Sequence, residues 1–106
     1  MKIKRTLLLL ALAAAWPAAY AQTGKWPDKP VRVIVPFPSG GVVDILTRLV
    51  AARLSEDFRE QFIVDNRGGA GGSIGAELAA RANPDGYTVI VVATSYATNA
   101  ALYELP

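Results

Sequence analysis

The fold is decided at residues 31–41, which read VRVIVPFPSGG. The first five residues are mostly β-branched, which is typical of a strand, and the prolines and glycines after them predict a rigid loop. Beyond the loop, apolar residues recur with helical spacing at positions 42, 45, 46, 49, 50 and 54. A strand, a loop and a helix in this order predict the first unit of an α/β fold.

Two ion pairs are expected on the predicted helix. Asp44 lies in its first turn, where the helix dipole favours an anion, and Arg48 follows at the four-residue spacing that places two side chains on one face. Arg53 and Asp57 repeat this spacing further along. The sequence has no clear stop signal near Arg59, so it leaves the end of the helix open.

The same order of elements recurs later in the chain. Residues 62–64 predict a second strand, and residues 67–72 read RGGAGG, which predicts a glycine-rich loop. Ser73 is expected to cap the next helix, because a serine oxygen can accept from the free amides of a first turn. The predicted apolar face of this helix contains Ile74, Leu78, Ala79 and Ala82.

A third unit completes the pattern. The turn at residues 83–86, NPDG, leads into a strand predicted at residues 87–93, which is apolar on both faces as in a buried parallel sheet. Thr94 and Ser95 follow at the carboxyl end of this strand, and residues 97–103 are predicted to open a third helix. The alternation predicts fold class α/β with parallel strands.

Residues 1–21 are predicted to be an export signal rather than part of the fold. Three basic side chains precede an apolar run at residues 7–15, and Ala19-Tyr20-Ala21 has the small-x-small form of a cleavage site that ends at Ala21. The run is shorter than the roughly 20 residues that a membrane-spanning helix needs. We therefore expect export and cleavage, with no direct membrane anchor on residues 22–106.

Charge and composition exclude several classes of function. The signal segment holds three of the 11 basic side chains and none of the 9 acidic ones, which leaves a net charge of −1 on the remainder. A basic patch for nucleic acid is therefore not expected. The chain contains neither cysteine nor histidine, so a disulfide framework and the usual zinc ligands are excluded. We expect no metal ion and no cofactor.

The glycine-rich segment resembles two motifs without satisfying either. Residues 71–75, GGSIG, match the G-x-S-x-G nucleophile elbow, but a loop precedes them and the chain has no histidine to serve as a base. The dinucleotide-binding motif G-x-G-x-x-G would need glycine at position 74, where the chain has Ile74. It would also need an acidic residue near position 95, where the chain has Ser95. We expect no catalytic residue, and an exported serine hydrolase using Ser73 remains the alternative.

Three predicted loops, at residues 36–41, 67–72 and 94–99, follow the carboxyl ends of the strands. Ligands of open α/β sheets bind at this edge, where glycines expose backbone amides and helix N-termini favour anions. The amide candidates are Gly40, Gly41, Gly69, Gly71 and Gly72, and the hydroxyl candidates are Ser39, Thr94, Ser95 and Thr98. From spacing alone, simple tight turns are an equally good interpretation.

Four segments together resemble the Bug-type receptors, the periplasmic substrate-binding proteins of tripartite tricarboxylate transporters. They are WPDKPVRVIVPFPSGG at residues 26–41, VDNRGGAGGSIG at 64–75, PDGYT at 84–88 and NAALYELP at 99–106. The departures from the family pattern are mild. Ser39, Gly68 and Ala100 stand where the family usually has proline, and Arg59-Glu60-Gln61 replaces glycine, glutamine and proline.

The resemblance implies a parallel-sheet periplasmic-binding-protein type II domain. Because family members have two α/β domains, residues 22–106 would form an incomplete, N-terminal part of the first. The implied ligand is a small carboxylate, delivered in the periplasm to the membrane subunits of a transporter by a receptor that is monomeric at full length. A small stand-alone secreted adaptor domain is a further alternative. The implied ligand-binding residues are Pro38, Ser39, Gly40, Gly41, Asp44, Gly69, Ala70, Gly71, Thr94 and Ser95.

Overall fold

The computed structural model describes residues 24–102, where strands and helices alternate. The elements are strand β1 at Val31–Val35, helix α1 at Val42–Phe58, strand β2 at Phe62–Asn66, a 3₁₀ turn at Ala70–Gly72, helix α2 at Ser73–Ala80, strand β3 at Thr88–Ile90 and helix α3 at Thr94–Leu102. The predicted signal segment and its cleavage site at Ala21 lie outside the described residues. No helix within the described range is long and apolar enough to cross a bilayer.

The three strands form one parallel sheet in the order β2-β1-β3. Val33 at the centre of β1 lies opposite Val64 of β2 and Val89 of β3, which fixes the register on both sides. Parallel neighbours need a crossover between them, and here α1 and α2 lie on those crossovers. The predicted α/β class with parallel strands is confirmed.

The core is built around the central strand. Val31, Ile34 and Val35 expose no surface, because β1 has a neighbouring strand on each side and helices packed against it. The helices contribute small residues to this core, namely Ala51 of α1 and Ala76 of α2. Small side chains let the helix backbones lie close to the sheet.

Both ion pairs predicted on helix α1 are present, and the structure defines the end of the helix that the sequence left open. The Arg48 Nε–Asp44 Oδ1 distance is 3.1 Å and the Arg53 Nη2–Asp57 Oδ1 distance is 3.2 Å. The helix stops at Phe58, because Arg59 takes a left-handed conformation with φ 57° and ψ 27°. This residue stands where the family pattern usually has glycine.

Most of the evenly spaced apolar residues of α1 are not buried against the sheet. Its buried residues are Asp44, Thr47 and Ala51, whereas the apolar positions Val42, Ile45, Leu46, Leu49 and Val50 are each more than half exposed. The spacing therefore predicted the helix correctly, but most of its apolar positions stay exposed instead of entering the core that the helix forms with the sheet.

Several predicted boundaries are wrong. Strand β2 was predicted at residues 62–64 but continues through Asn66. Strand β3 was predicted at residues 87–93 but covers only Thr88–Ile90. Just beyond it, the Val91 amide still donates to the Ile34 carbonyl at 3.0 Å. Helix α2 ends at Ala80, before Ala82. Helix α3 begins at Thr94 rather than at residue 97, because the chain turns into helix directly after the strand.

Candidate functional site

Two loops lie side by side at the carboxyl edge of the sheet. We call residues 36–41, which follow β1, loop 1, and residues 67–72, which follow β2, loop 2. The Arg67 amide donates to the Val35 carbonyl at 2.8 Å, which extends the strand pairing to the start of loop 2. A Cβ added to Gly68 would lie 3.3 Å from the Pro38 nitrogen. Loops 1 and 2 therefore lie in contact at the carboxyl edge of the sheet.

Asp44 anchors loop 1 from the first turn of α1. Its side chain is buried, and its Oδ2 accepts the Gly40 amide at 2.8 Å and the more distant Ser39 hydroxyl at 3.5 Å. Arg48 Nε donates to both carboxylate oxygens at 3.1 Å. The Gly40 amide, the Asn66 side-chain amide and Arg48 together lower the pKa of Asp44 to about 2, from an ordinary value of 3.8. The carboxylate therefore stays charged inside the fold.

This arrangement bears on three of the predicted ligand groups, because the Ser39 hydroxyl also lies 3.5 Å from the Asp44 carboxylate. The Asp44 carboxylate and the Gly40 amide are already hydrogen-bonded to each other. By contrast, the other nine predicted residues are exposed: Pro38, Ser39, Gly40, Gly41, Gly69, Ala70, Gly71, Thr94 and Ser95. Asp44 thus lies behind the exposed surface that these residues form, where it supports loop 1.

Asn66 is a site residue that the sequence analysis missed. Its Nδ2 donates to the Phe37 carbonyl at 3.2 Å and to Asp44 Oδ1 at 2.9 Å, while its Oδ1 accepts Arg48 Nη2 at 3.0 Å. One side chain therefore links β2, loop 1 and α1. A polar residue at the carboxyl end of a parallel strand was the signal available, because such positions lie at the ligand edge of the sheet.

Loop 2 is shaped by a run of backbone conformations that favour glycine. Gly69, Ala70, Gly71 and Gly72 have φ values of 120°, 48°, 65° and 95°, and the Gly72 amide donates to the Gly69 carbonyl at 3.0 Å. The loop therefore turns tightly before α2. Because Ala70 carries a Cβ in this left-handed region, its backbone is strained by comparison with the glycines.

The G-x-S-x-G segment does not form a nucleophile elbow. Ser73 is the first residue of α2 and follows a 3₁₀ turn, whereas an elbow serine follows a strand directly. The prediction that Ser73 caps the helix is also wrong, because Gly72 is at the cap position and makes no side-chain hydrogen bond. Gly75 has a packing role, since a Cβ there would lie 2.7 Å from Pro36 Cβ and 2.8 Å from the Arg67 carbonyl oxygen.

The third predicted loop is helix. Thr94 and Ser95 lie in the first turn of α3, and the rest of residues 94–99 follows in the same helix. Asn99 Nδ2 donates to the Gly71 carbonyl at 2.8 Å, which joins this helix to loop 2. The third segment therefore contributes a helix N-terminus with two exposed hydroxyl side chains instead of a loop.

The assembled surface is suited to an anion without a dedicated cation. Helix α1 begins after Gly41, and the first amides of a helix have no internal acceptor, so they carry partial positive charge. The nearby arginines are paired: Arg48 with Asp44, and Arg67 with Asp65 at 2.8 Å. Burial raises the pKa of Asp65, but hydrogen bonds and charge from Arg32 and Arg67 outweigh it and lower that pKa. Within residues 24–102, no group of three or more carboxylates is placed to hold a metal ion.

A parallel α/β unit with glycine-rich loops and helix N-termini at one sheet edge defines the class of ligand-binding α/β domains. Residues 46–106 match the sequence model of the tripartite tricarboxylate transporter family receptor. The chain belongs to this receptor family, so the resemblance drawn from its sequence motifs is confirmed.

Individual relatives agree with this assignment. The chain is 46% identical over 106 residues to a UPF0065 protein of Bordetella bronchiseptica, covering 98% of this chain and 30% of that protein. A solved structure of R. palustris Rpa4515 with adipate is 49% identical with a TM-score of 0.62, and the match covers 63% of this chain and 22% of that one. MatC from Rhodopseudomonas palustris, with bound malate, is 38% identical with a TM-score of 0.58, over 61% and 22% of the two chains. The chain thus spans about 30% of the length of the curated relative.

Proposed function

We propose that this chain is part of a periplasmic solute-binding receptor that captures a small carboxylate for a tripartite tricarboxylate-type transporter. In this proposal, residues 1–21 are a cleaved signal and residues 22–106 are the N-terminal part of the first of two domains. The observation that carries the proposal is the pair of loops held side by side at the carboxyl edge of the sheet, with exposed glycines, hydroxyl groups and a helix N-terminus. Relatives with bound adipate and malate add support.

The ligand carboxylate would be held by neutral donors. Backbone amides at Gly41 and Gly71 and hydroxyl groups of Ser39 and Thr94 are the donors we assign to it, with the field of the α1 N-terminus favouring its charge. Binding and release need no covalent step, so we propose a receptor rather than an enzyme. Because Arg48 pairs with Asp44 behind the loop, the negative charge of Asp44 is partly neutralised and repels a bound anion less.

A chimera tests the proposed ligand class. In this chimera, residues 24–102 replace the matching segment of the R. palustris protein solved with adipate, and titration calorimetry measures binding of adipate, malate and the uncharged diamide of adipate. We expect a dicarboxylate to bind and the diamide not to bind, because the donors of the site are complementary to a charged oxygen pair. A folded chimera that binds nothing, beside a parent protein that binds adipate, would contradict the proposal.

Substitutions within the chimera test the proposed residues. Ser39→Ala removes an exposed hydroxyl from loop 1 and is expected to weaken dicarboxylate binding about tenfold or more, since a hydrogen bond to a charged group contributes about 1.5–3 kcal/mol. Ser55→Ala is the matched control, because Ser55 lies on α1 and bonds to the Phe62 amide at the other end of β2. Equal affinities for the two variants would argue against a ligand contact from Ser39.

Export and assembly are tested separately. A reporter protein fused to residues 1–21 is expected to reach the periplasm and to lose that segment after Ala21, which mass spectrometry of the released protein would show. We further propose that the full-length receptor is monomeric and contacts the membrane subunits of its transporter. Sedimentation of the purified receptor and cross-linking in membranes that contain those subunits would test the two statements.

A further inference from the structure

We propose that Asn66 is a positioning residue, which acts with Asp44 to place loop 1 for ligand binding. The inference rests on the proposed function, because it takes loops 1 and 2 as the ligand site. In this proposal Asn66 need not touch the ligand. Asn66 acts on the backbone of loop 1, and the exposed amides of that loop contact the ligand.

Helix α1 is tied to strand β2 by polar side chains at two places. At the carboxyl end of β2, Asn66 bonds to Asp44 Oδ1 at 2.9 Å and to Arg48 Nη2 at 3.0 Å, and we call these three residues the Asn66 clasp. At the amino end of β2, the Phe62 amide donates to Ser55 Oγ at 3.0 Å. Both contacts join the same helix to the same strand, but only the Asn66 clasp lies beside the loops.

The Asn66 clasp holds loop 1 near both of its ends. Asn66 Nδ2 donates to the Phe37 carbonyl at 3.2 Å, close to the start of the loop, and the Gly40 amide donates to Asp44 Oδ2 at 2.8 Å, close to its end. Asn66 and Asp44 also bond to each other, so the two attachments are not independent. A change at Asn66 would therefore reach Gly40 through the Asp44 carboxylate, which bonds to both residues.

The side chain at position 66 must be an amide for this arrangement to hold. Asn66→Asp keeps the size of the residue but removes both Nδ2 donors and places a second carboxylate against that of Asp44. The Phe37 carbonyl loses its partner, and the like charges push Asp44 away from the position in which it accepts the Gly40 amide. Arg48 is the one cation in the clasp, and it cannot neutralise both carboxylates.

Adipate binding by the chimera described above provides the test. Calorimetry is carried out well below the melting temperature of each variant, so that only folded protein contributes to Kd. Asn66→Asp is expected to raise the Kd for adipate by about tenfold or more, whereas Ser55→Ala leaves it within about twofold. Both variants are expected to lower the melting temperature, because each removes a contact between α1 and β2.

A spectroscopic signal separates positioning from stability. In ligand-free chimera labelled with ¹⁵N-glycine, the Gly40 amide resonance reports on its bond to Asp44. We expect that resonance to shift in Asn66→Asp and to stay in place in Ser55→Ala. A purely stabilising role for Asn66 would leave the Gly40 resonance and the Kd of folded protein unchanged.

The outcomes are distinguishable from failure of the proposed function. Unchanged affinity in Asn66→Asp, or an equal loss in Ser55→Ala, overturns the positioning role. If Asn66→Asp does not fold, Asn66→Ser replaces it with the same expectations, because serine is too short to reach the Phe37 carbonyl and Asp44 together. A chimera that keeps Asn66 and binds no dicarboxylate counts against the proposed function itself, and with it removes the basis of this inference.

Discussion

At the scale of single residues, the polar groups of the site divide between an exposed set and a buried set. The exposed set is formed by backbone amides and hydroxyl groups on the loops and on the first turn of α3. The buried set is centred on Asp44, which forms an ion pair with Arg48 and accepts hydrogen bonds from two neutral amides. The first set is exposed to solvent, and in our proposal the second set determines where the first is held.

The acid stability of the chimera depends on Asp44. Because the folded pKa of Asp44 is about 2 and its ordinary value is 3.8, the folded state prefers the carboxylate. The contribution of Asp44 to the free energy of unfolding is fully present at pH values above its ordinary pKa of 3.8. It is lost as the pH falls from that value to the folded pKa of about 2. Urea unfolding of the chimera should show this decrease in the free energy of unfolding. The Asp44→Asn variant should show a smaller decrease over the same pH interval. An identical acid slope in both proteins would contradict the assignment.

Gly75 is required by the contact between α2 and the two loops. A Cβ at this position would lie 2.7 Å from Pro36 Cβ and 2.8 Å from the Arg67 carbonyl oxygen, and backbone atoms cannot easily move away. We expect Gly75→Ala to lower the unfolding free energy of the chimera by about 1–3 kcal/mol. Gly24→Ala is the control, since nothing lies within 4 Å of its added Cβ. Equal stabilities in denaturant would refute this packing role.

At the scale of elements, the end of α1 is decided by backbone conformation. Arg59 adopts φ 57°, which costs an L-residue more than it costs glycine. The substitution Arg59→Gly is therefore expected to raise the unfolding free energy of the chimera by about 1 kcal/mol, because glycine is the usual residue at a left-handed helix end. Chemical denaturation gives the measurement.

A second arginine at a helix end provides the control for Arg59. Arg81 follows α2 with φ −89°, an ordinary conformation, and its side chain pairs with Glu77. Arg81→Gly should lower stability slightly, because it adds backbone freedom and removes the pair without relieving strain. If both substitutions change the unfolding free energy in the same direction, the left-handed conformation of Arg59 is not what lowers stability at the end of α1.

At the scale of the whole molecule, the described residues leave a large apolar surface open. A groove of about 490 Å³ between α1 and the sheet is lined by residues such as Leu46, Val50, Val89 and Val92. These four side chains are between 40% and 57% exposed. Strand β3 has β1 on one side only within residues 24–102, so its other edge is unpaired there. Open apolar surface beside a free strand edge favours association.

We therefore expect residues 22–106, expressed alone, to aggregate or to remain molten and to bind no carboxylate measurably. Val89→Lys, which places a charge in the groove and on β3, should shift size-exclusion profiles towards monomer. Ile74→Lys is the matched control, because Ile74 is a similarly exposed apolar residue on α2, outside the groove. A sharp monomer with a cooperative melt and dispersed amide resonances for the unmodified segment would overturn this expectation and favour a stand-alone domain.

Local patterns predicted much of the fold. The β-branched run at Val31–Val35 and the helical spacing after it identified β1 and α1, because strand and helix preferences are visible within short segments of the sequence. Helix α3 was predicted to start too late, because residues 94–99 were interpreted as a loop, whereas Thr94 and Ser95 lie in its first turn. The length of β3 was overestimated because its apolar run continues beyond the residues that pair with β1.

The amino-acid sequence by itself determined the alternation of strands and helices, the two ion pairs of α1 and the identity of the receptor family. Those features depend on residue spacing within short segments, which is visible along the chain. Only the tertiary structure decided that Asp44 faces inward, that Asn66 joins β2 to loop 1 and that Gly75 must lack a side chain. Each of these roles involves a contact between residues 22 or more positions apart, and such contacts exist only after the sheet has brought its carboxyl ends together.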